Sequence, residues 1–172
     1  MTRIERALAG LDASRRRFLD ELARFDETRS MQSPPGGGWS ASQVGEHVAR
    51  VEAAVTRGYQ AALAGKVRAA FGPGDLPGRL VWWLQLYRLV RIEAPAAHQP
   101  EKSAILAETI SLLGRNRESL LAVVRAAPLE RVRLRHPVFG SMNGFEWLSF
   151  LSMHEERHRL QLVRIQKAFA RS

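Results

Sequence analysis

Cysteine is missing from the 172 residues. That excludes disulfides, thiolate metal sites, iron–sulfur ligation and a cysteine nucleophile, and it fits a reducing compartment. No window approaches the roughly 18 consecutive apolar residues that a membrane span requires. Residues 1–22 mix both charge signs at helical spacing and lack the apolar run of a signal peptide. A cytoplasmic location is therefore expected, with no membrane partner. Acidic residues are in deficit: 17 Asp+Glu stand against 26 Lys+Arg, a net charge of +9. A surplus of that size favours anions, nucleic acid first among them. The basic residues are nearly all arginine, however, and are spread along the chain, from Arg15-Arg16-Arg17 through Arg115 and Arg117 to Arg157 and Arg159. No block interleaves them with exposed aromatics. The pattern reads as an arginine-rich solvated surface, and nucleic acid is not an expected partner.

What is present points to helices. Hydrophobic residues make up 45% and charged residues 25% of the chain, ordinary globular usage for one domain over residues 1–172. Over residues 3–27 the apolar positions Ile4, Leu8, Leu11, Phe18, Leu22 and Phe25 form a helical stripe, interrupted only at Ser14 and Arg15. The run Ser33-Pro34-Pro35-Gly36-Gly37-Gly38 breaks it. Ser40 with Gln43 is a capping box, and Val44, Val48, Val51, Val55 and Tyr59 carry a second helix to about Gly65. Loop chemistry at 71–78 and 94–100 brackets an apolar stretch at 80–87, read as a short buried helix. Leu106, Ile110, Leu113, Leu120 and Val124 predict a third long helix ending near Pro128, with Asn116 and Arg117 where apolar residues were due. Asn143 with Glu146 caps a fourth, running through Trp147, Leu151, His154, His158, Gln161 and Ile165. Val132-Arg133-Leu134-Arg135 is the only brief alternation with period two, and no sheet is expected. Four amphipathic helices and a long 66–100 connection predict an all-α four-helix bundle, with an extra short helix between long helices two and three.

Three of the five histidines lie on core-facing helical stripes. His154 and His158 are four apart and so share one face. Burying two imidazoles without partners costs several kcal/mol, which argues for a shared ligand. His47, one turn from Val44 and Val51, faces inward on the second helix. Three neutral imidazoles would leave a coordination position open, as in catalytic zinc sites. His98 and His136 adjoin Pro-containing loops and are read as loop residues. His154-Glu155-Glu156-Arg157-His158 also matches the H-E-x-x-H zinc-protease signature, with Glu155 as general base. The extended form needs Gly at 161 and His at 164, but the chain has Gln161 and Arg164. The protease reading is set aside.

Residues Trp39 to Val48 resemble the W-S-x-x-x-x-x-x-H signature of the DinB-like (DinB/YfiT) superfamily. His136-Pro137-Val138-Phe139-Gly140 followed by Phe145-Glu146-Trp147-Leu148 is similar to its approach to the last helix. His154 to Gln161 resembles its H-x-x-x-H-x-x-Q ending. The resemblance implies an up-down-down-up bundle in which His47, His154 and His158 bind zinc, nickel or a similar divalent ion, often as a homodimer. It also implies a metal-dependent enzyme acting on a small molecule, either a hydrolase or an S-transferase using a low-molecular-weight thiol. The alternative is a bundle that binds metal without catalysis. Residues 66–100, with Trp82-Trp83, match nothing in the family pattern, so substrate identity does not carry over. Four further residues are site candidates. Trp39 lines the metal cavity or staples the helix start. Gln161 holds an imidazole or sits at a helix crossing. Asn116 and Arg117 reach an anionic substrate, or Arg117 snorkels to solvent. Glu155 is the nearest base in sequence, although a one-residue offset turns it about 100° from His154.

Overall fold

The computed structural model describes residues 1–65, 96–101, 104–136 and 139–171. Its long helices are α1 (Arg3–Leu22), α3 (Ala41–Leu63), α4 (Leu106–Ala126) and α5 (Gly144–Phe169). A short α2 (Glu27–Met31) and a single 3-10 turn (Ala96–His98) complete the described helical structure. The helix expected at 80–87 lies outside the described residues.

Helix starts follow local chemistry. Thr2 with Glu5, Ser40 with Gln43 and Asn143 with Glu146 all form reciprocal capping boxes, each satisfying two orphan backbone donors. The start of α4 has no side-chain cap of its own. Glu27 of α2 supplies one, accepting the Leu106 N–H at 2.8 Å. The first helix is shorter than its apolar stripe predicts: it ends at Leu22, and Asp26 caps a new turn by accepting the Arg29 N–H. Phe25 is still buried, from the loop rather than from the helix.

The expectation of no sheet is corrected by an antiparallel hairpin, β1 (Arg133–His136) and β2 (Gly140–Asn143), paired from Arg133 with Asn143 to His136 with Gly140. The brief alternation at 132–135 falls on β1, but Gly140-Ser141-Met142-Asn143 shows none, so the sequence offers it no partner strand. Leu134 and Met142 pair directly and are both buried. The hairpin delivers the chain to α5, where the Gly144 N–H donates to the Leu129 carbonyl at 2.8 Å. A Cβ at Gly144 would stand 2.7 Å from that oxygen, so only glycine fits.

Contacts between helices establish the direction of each. Arg3 lies over Phe145, Ser14 bonds Glu155, and the Glu21 carbonyl accepts from Gln166. Both numbers rise together, so α1 and α5 run parallel. The same holds for α3 and α4, where Gly45 meets Thr109, Ala49 accepts from Asn116 and Glu52 pairs with Arg117. By contrast Tyr59 meets Gly144 while His47 meets His154, which makes α3 and α5 antiparallel. The topology is up-down-down-up, as the family resemblance implies. Parallel neighbours α3 and α4 require a long crossover, which residues 64–105 provide.

The core has two apolar clusters. One gathers Leu11, Tyr59, Leu120, Trp147 and Leu148, and the other Phe18, Leu22, Val44, Leu113 and Leu162. Between them, at the waist of the bundle, each long helix contributes one charge. Arg15 of α1 bonds Glu155 at 2.8 Å and Glu52 at 2.7 Å, and Arg117 of α4 bonds the same two carboxylates at 2.6 Å. The spare guanidinium nitrogens donate to the Leu113 and Leu11 carbonyls, and Ser14 donates to Glu155. Two positive and two negative charges cancel. Burial opposes the charge on Arg15, but Glu155 and Glu52 outweigh it and raise its pKa. Such a network contributes little net stability when complete, yet strands a buried charge when one member is removed.

Candidate metal centre

His47 reaches the site from the first half of α3, His154 and His158 from the middle of α5. Because the two helices are antiparallel and packed together, the single ring of one meets the pair on the other. His47 and His158 are buried and His154 is half-buried. The three offer ligand nitrogens all within 4.8 Å of one another, the one such cluster among the described residues. Nε2 of His47 and Nε2 of His154 are 3.2 Å apart. Ring centroids are 5.1 Å apart for His47 and His154, 4.8 Å for His47 and His158, and 4.4 Å for His154 and His158.

Second contacts fix the tautomers. Nδ1 of His47 lies 2.7 Å from the His98 carbonyl oxygen. A carbonyl only accepts, so Nδ1 carries the proton and a neutral ring keeps its Nε2 lone pair bare. His158 is held the same way, donating Nδ1–H to the Gln161 side-chain oxygen at 2.9 Å. All three rings are held neutral. Burial is the main cause for each; for His154 the neighbouring rings of His158 and His47 and the charge of Arg157 add to it. For His158, His47, Arg157 and Arg164 act in the same direction, against the Gln161 bond. For His47 the His98 bond only partly offsets burial.

A divalent ion fits these residues. Nitrogens bound to one tetrahedral ion at about 2.0–2.1 Å stand roughly 3.4 Å apart, close to the separation of His47 and His154. Unprotonated ring nitrogens from His47 and His158, with His154 beside them, are the donor set that a divalent ion takes.

The remaining candidates divide. Trp39 packs its ring on His47, centroids 4.9 Å apart, and also lies against the apolar cluster containing Val44. Gln161 sits beside the site. Asn116 does not: its amide donates to the Ala49 carbonyl and ties α4 to α3. Arg117 belongs to the waist network. Glu155 is also turned away, buried against Arg15, Arg117 and Ser14; with its oxygens committed to these donors, the general-base role is withdrawn. His98 and His136 prove to be more than loop residues. His98 lends its carbonyl to His47. His136 ends β1 inside a box of Phe139, Trp147 and Phe150, and Phe150 in turn lies against His154. Proline neighbours concealed both roles.

The DinB superfamily profile matches residues 10–162. Two solved structures are similar. TT2238, a four-helix bundle protein, shares 29% identity over 92% of this chain and 96% of its own, with a TM-score of 0.59. YfiT from Bacillus subtilis, described as a probable metal-dependent hydrolase with an unusual four-helix bundle topology, shares 15% identity over 96% of this chain and 87% of its own, with a TM-score of 0.64. The second likeness speaks to the fold alone. No curated protein sequence matches the chain. No helix among the described residues is long and apolar enough to cross a membrane.

Proposed function

This chain belongs to the DinB superfamily, and on that premise we propose that His47, His154 and His158 hold one divalent ion, zinc or nickel, in a metal-dependent enzyme. The observation that carries the reading is the convergence of two tautomer-locked imidazoles with a third inside 4.8 Å. The likeness to YfiT, itself described as a probable metal-dependent hydrolase, supports the same reading.

When bound, such an ion supplies Lewis acidity and lowers the pKa of a water or thiol beside it. Hydrolysis and S-transfer from a low-molecular-weight thiol both draw on that property. The protein's own residues orient and shield. His98 and Gln161 hold the ligand rings, while Trp39 and Phe150 cover His47 and His154 with aromatic surface. The charge of Arg157 adds to burial in keeping all three rings neutral. A homodimer is part of the same reading, and sedimentation tests it.

The decisive experiment is elemental analysis of the purified protein beside His47→Ala and His158→Ala. The expected result is one ion per chain in the parent and its loss in both variants. Stoichiometric metal surviving both substitutions overturns the site. Chelation followed by add-back, with ester and thiol-transfer assays, then separates catalysis from mere binding.

A further inference from the structure

One stripe of α3 carries both a metal ligand and a clasp for the returning crossover. Gln43, Glu46, His47 and Arg50 follow the i, i+3, i+4, i+7 spacing that aligns side chains on one helix face. All four bind the short segment 98–101. Glu101 has three polar groups and each is taken: its carbonyl accepts from Gln43 at 3.0 Å, its N–H donates to Glu46 at 2.9 Å, and its carboxylate accepts from Arg50 at 2.7 Å. Arg50 also bonds Glu46, bracing the acceptor. Three residues upstream, the His98 carbonyl takes the Nδ1–H of His47.

We propose that this clasp is a positioning device for the metal centre: docking of residues 96–101 on α3 and metal binding at His47 are one linked equilibrium. The inference rests on the metal reading above. The physical reason is that only a docked segment presents the His98 carbonyl, and that carbonyl keeps the Nε2 lone pair of His47 bare and aimed at the ion. Outer hydrogen bonds of this kind typically change metal affinity by about 10–100-fold. Linkage is reciprocal, so metal tightens the docked segment by the factor that docking tightens metal. Within the clasp the contributions differ. The Arg50–Glu101 pair is largely solvated, Glu101 being 71% exposed, and exposed pairs are weak. Glu46, mostly buried and accepting a backbone N–H, carries more of the effect.

The test uses the full chain and zinc alone. Zinc affinity is measured by competition with a chromophoric chelator for the parent, Glu46→Ala, Glu46→Gln and Arg50→Ala, with metal-free melting curves alongside. Hydrogen exchange at 96–101 is followed with and without zinc. Glu46→Ala is expected to weaken zinc binding by about tenfold with the metal-free melt little changed. Glu46→Gln, which keeps an acceptor, should restore affinity. Arg50→Ala should fall between them, and it stands in for Glu46→Ala if that variant does not fold. In the parent, zinc should slow exchange of the Glu101 amide. Parental zinc affinity in both Glu46→Ala and Arg50→Ala, or exchange at 96–101 that is blind to zinc, overturns the linkage while leaving the metal site standing. A parent that binds no zinc removes both.

Discussion

His158 donates its Nδ1–H to the side-chain oxygen of Gln161, one turn further along α5, at 2.9 Å. The bond places the proton of that neutral ring on Nδ1 and leaves Nε2 as its unprotonated nitrogen. Gln161→Leu keeps a similar volume but deletes the acceptor. Metal affinity should fall by about 10–100-fold while the melting curve of the metal-free protein stays close to the parent's. Unchanged affinity in a chelator competition would show that the ring needs no such support.

Glu155 is buried among two arginines and a serine. Glu155→Gln should leave metal content intact and cost about 3–5 kcal/mol of stability, because it strands positive charge at the waist. Denaturant titration together with elemental analysis checks both halves. Normal stability with altered metal content would place this carboxylate at the site after all.

Burial among Phe139, Trp147 and Phe150 pushes His136 down to about 4 from 6.5. The Phe139 N–H donates to its Nδ1, which therefore carries no proton. A histidine whose folded pKa is lowered binds fewer protons folded than unfolded at mildly acidic pH. Its contribution is complete above pH 6.5 and drains away as pH falls toward 4, to a limit of about 3 kcal/mol. His136→Phe should shrink the loss of stability between pH 7 and pH 5 in the metal-free protein. An unaltered pH profile would assign the acid sensitivity elsewhere.

Helical glycines should respond in opposite ways. Gly10 and Gly114 have open space where a Cβ would stand, so alanine there should add about 0.5–1 kcal/mol each. At Gly45 a Cβ would stand 2.6 Å from the Thr109 methyl of α4. Gly45→Ala should therefore fail to stabilise, and melting temperatures of the three variants decide it.

Much of the bundle was readable from local chemistry. Ser40 with Gln43 and Asn143 with Glu146 mark two helix starts because capping needs only residues three apart. The histidine site was readable because His154 and His158 interrupt an apolar stripe at helical spacing. The waist network was not read as such: Ser14 and Arg15 showed only as an interruption of an apolar face, and Arg117 as a substrate-facing or solvent-directed residue. What gave no local signal was the partner of each: Glu52 sits between Val51 and Val55, Glu155 beside His154, and only tertiary packing shows that they answer Arg15 and Arg117. The His98 carbonyl is a backbone group supplied by a loop, so no residue type could reveal it. The hairpin was missed because only its first strand alternates, and Gly140-Ser141-Met142-Asn143 shows no period that would give it a partner.

The pairing of α1 with α5 also bears on how the molecule comes together. The earliest-made of the four long helices packs chiefly on α5, across more than a hundred residues of intervening chain. Until Glu155 has been synthesised, Arg15 has only Glu52 of its two carboxylates to meet. Such a high contact order for a helical protein slows folding and leaves apolar faces uncovered meanwhile. Nascent chains stalled before α5 should therefore be held by chaperones rather than folded in part.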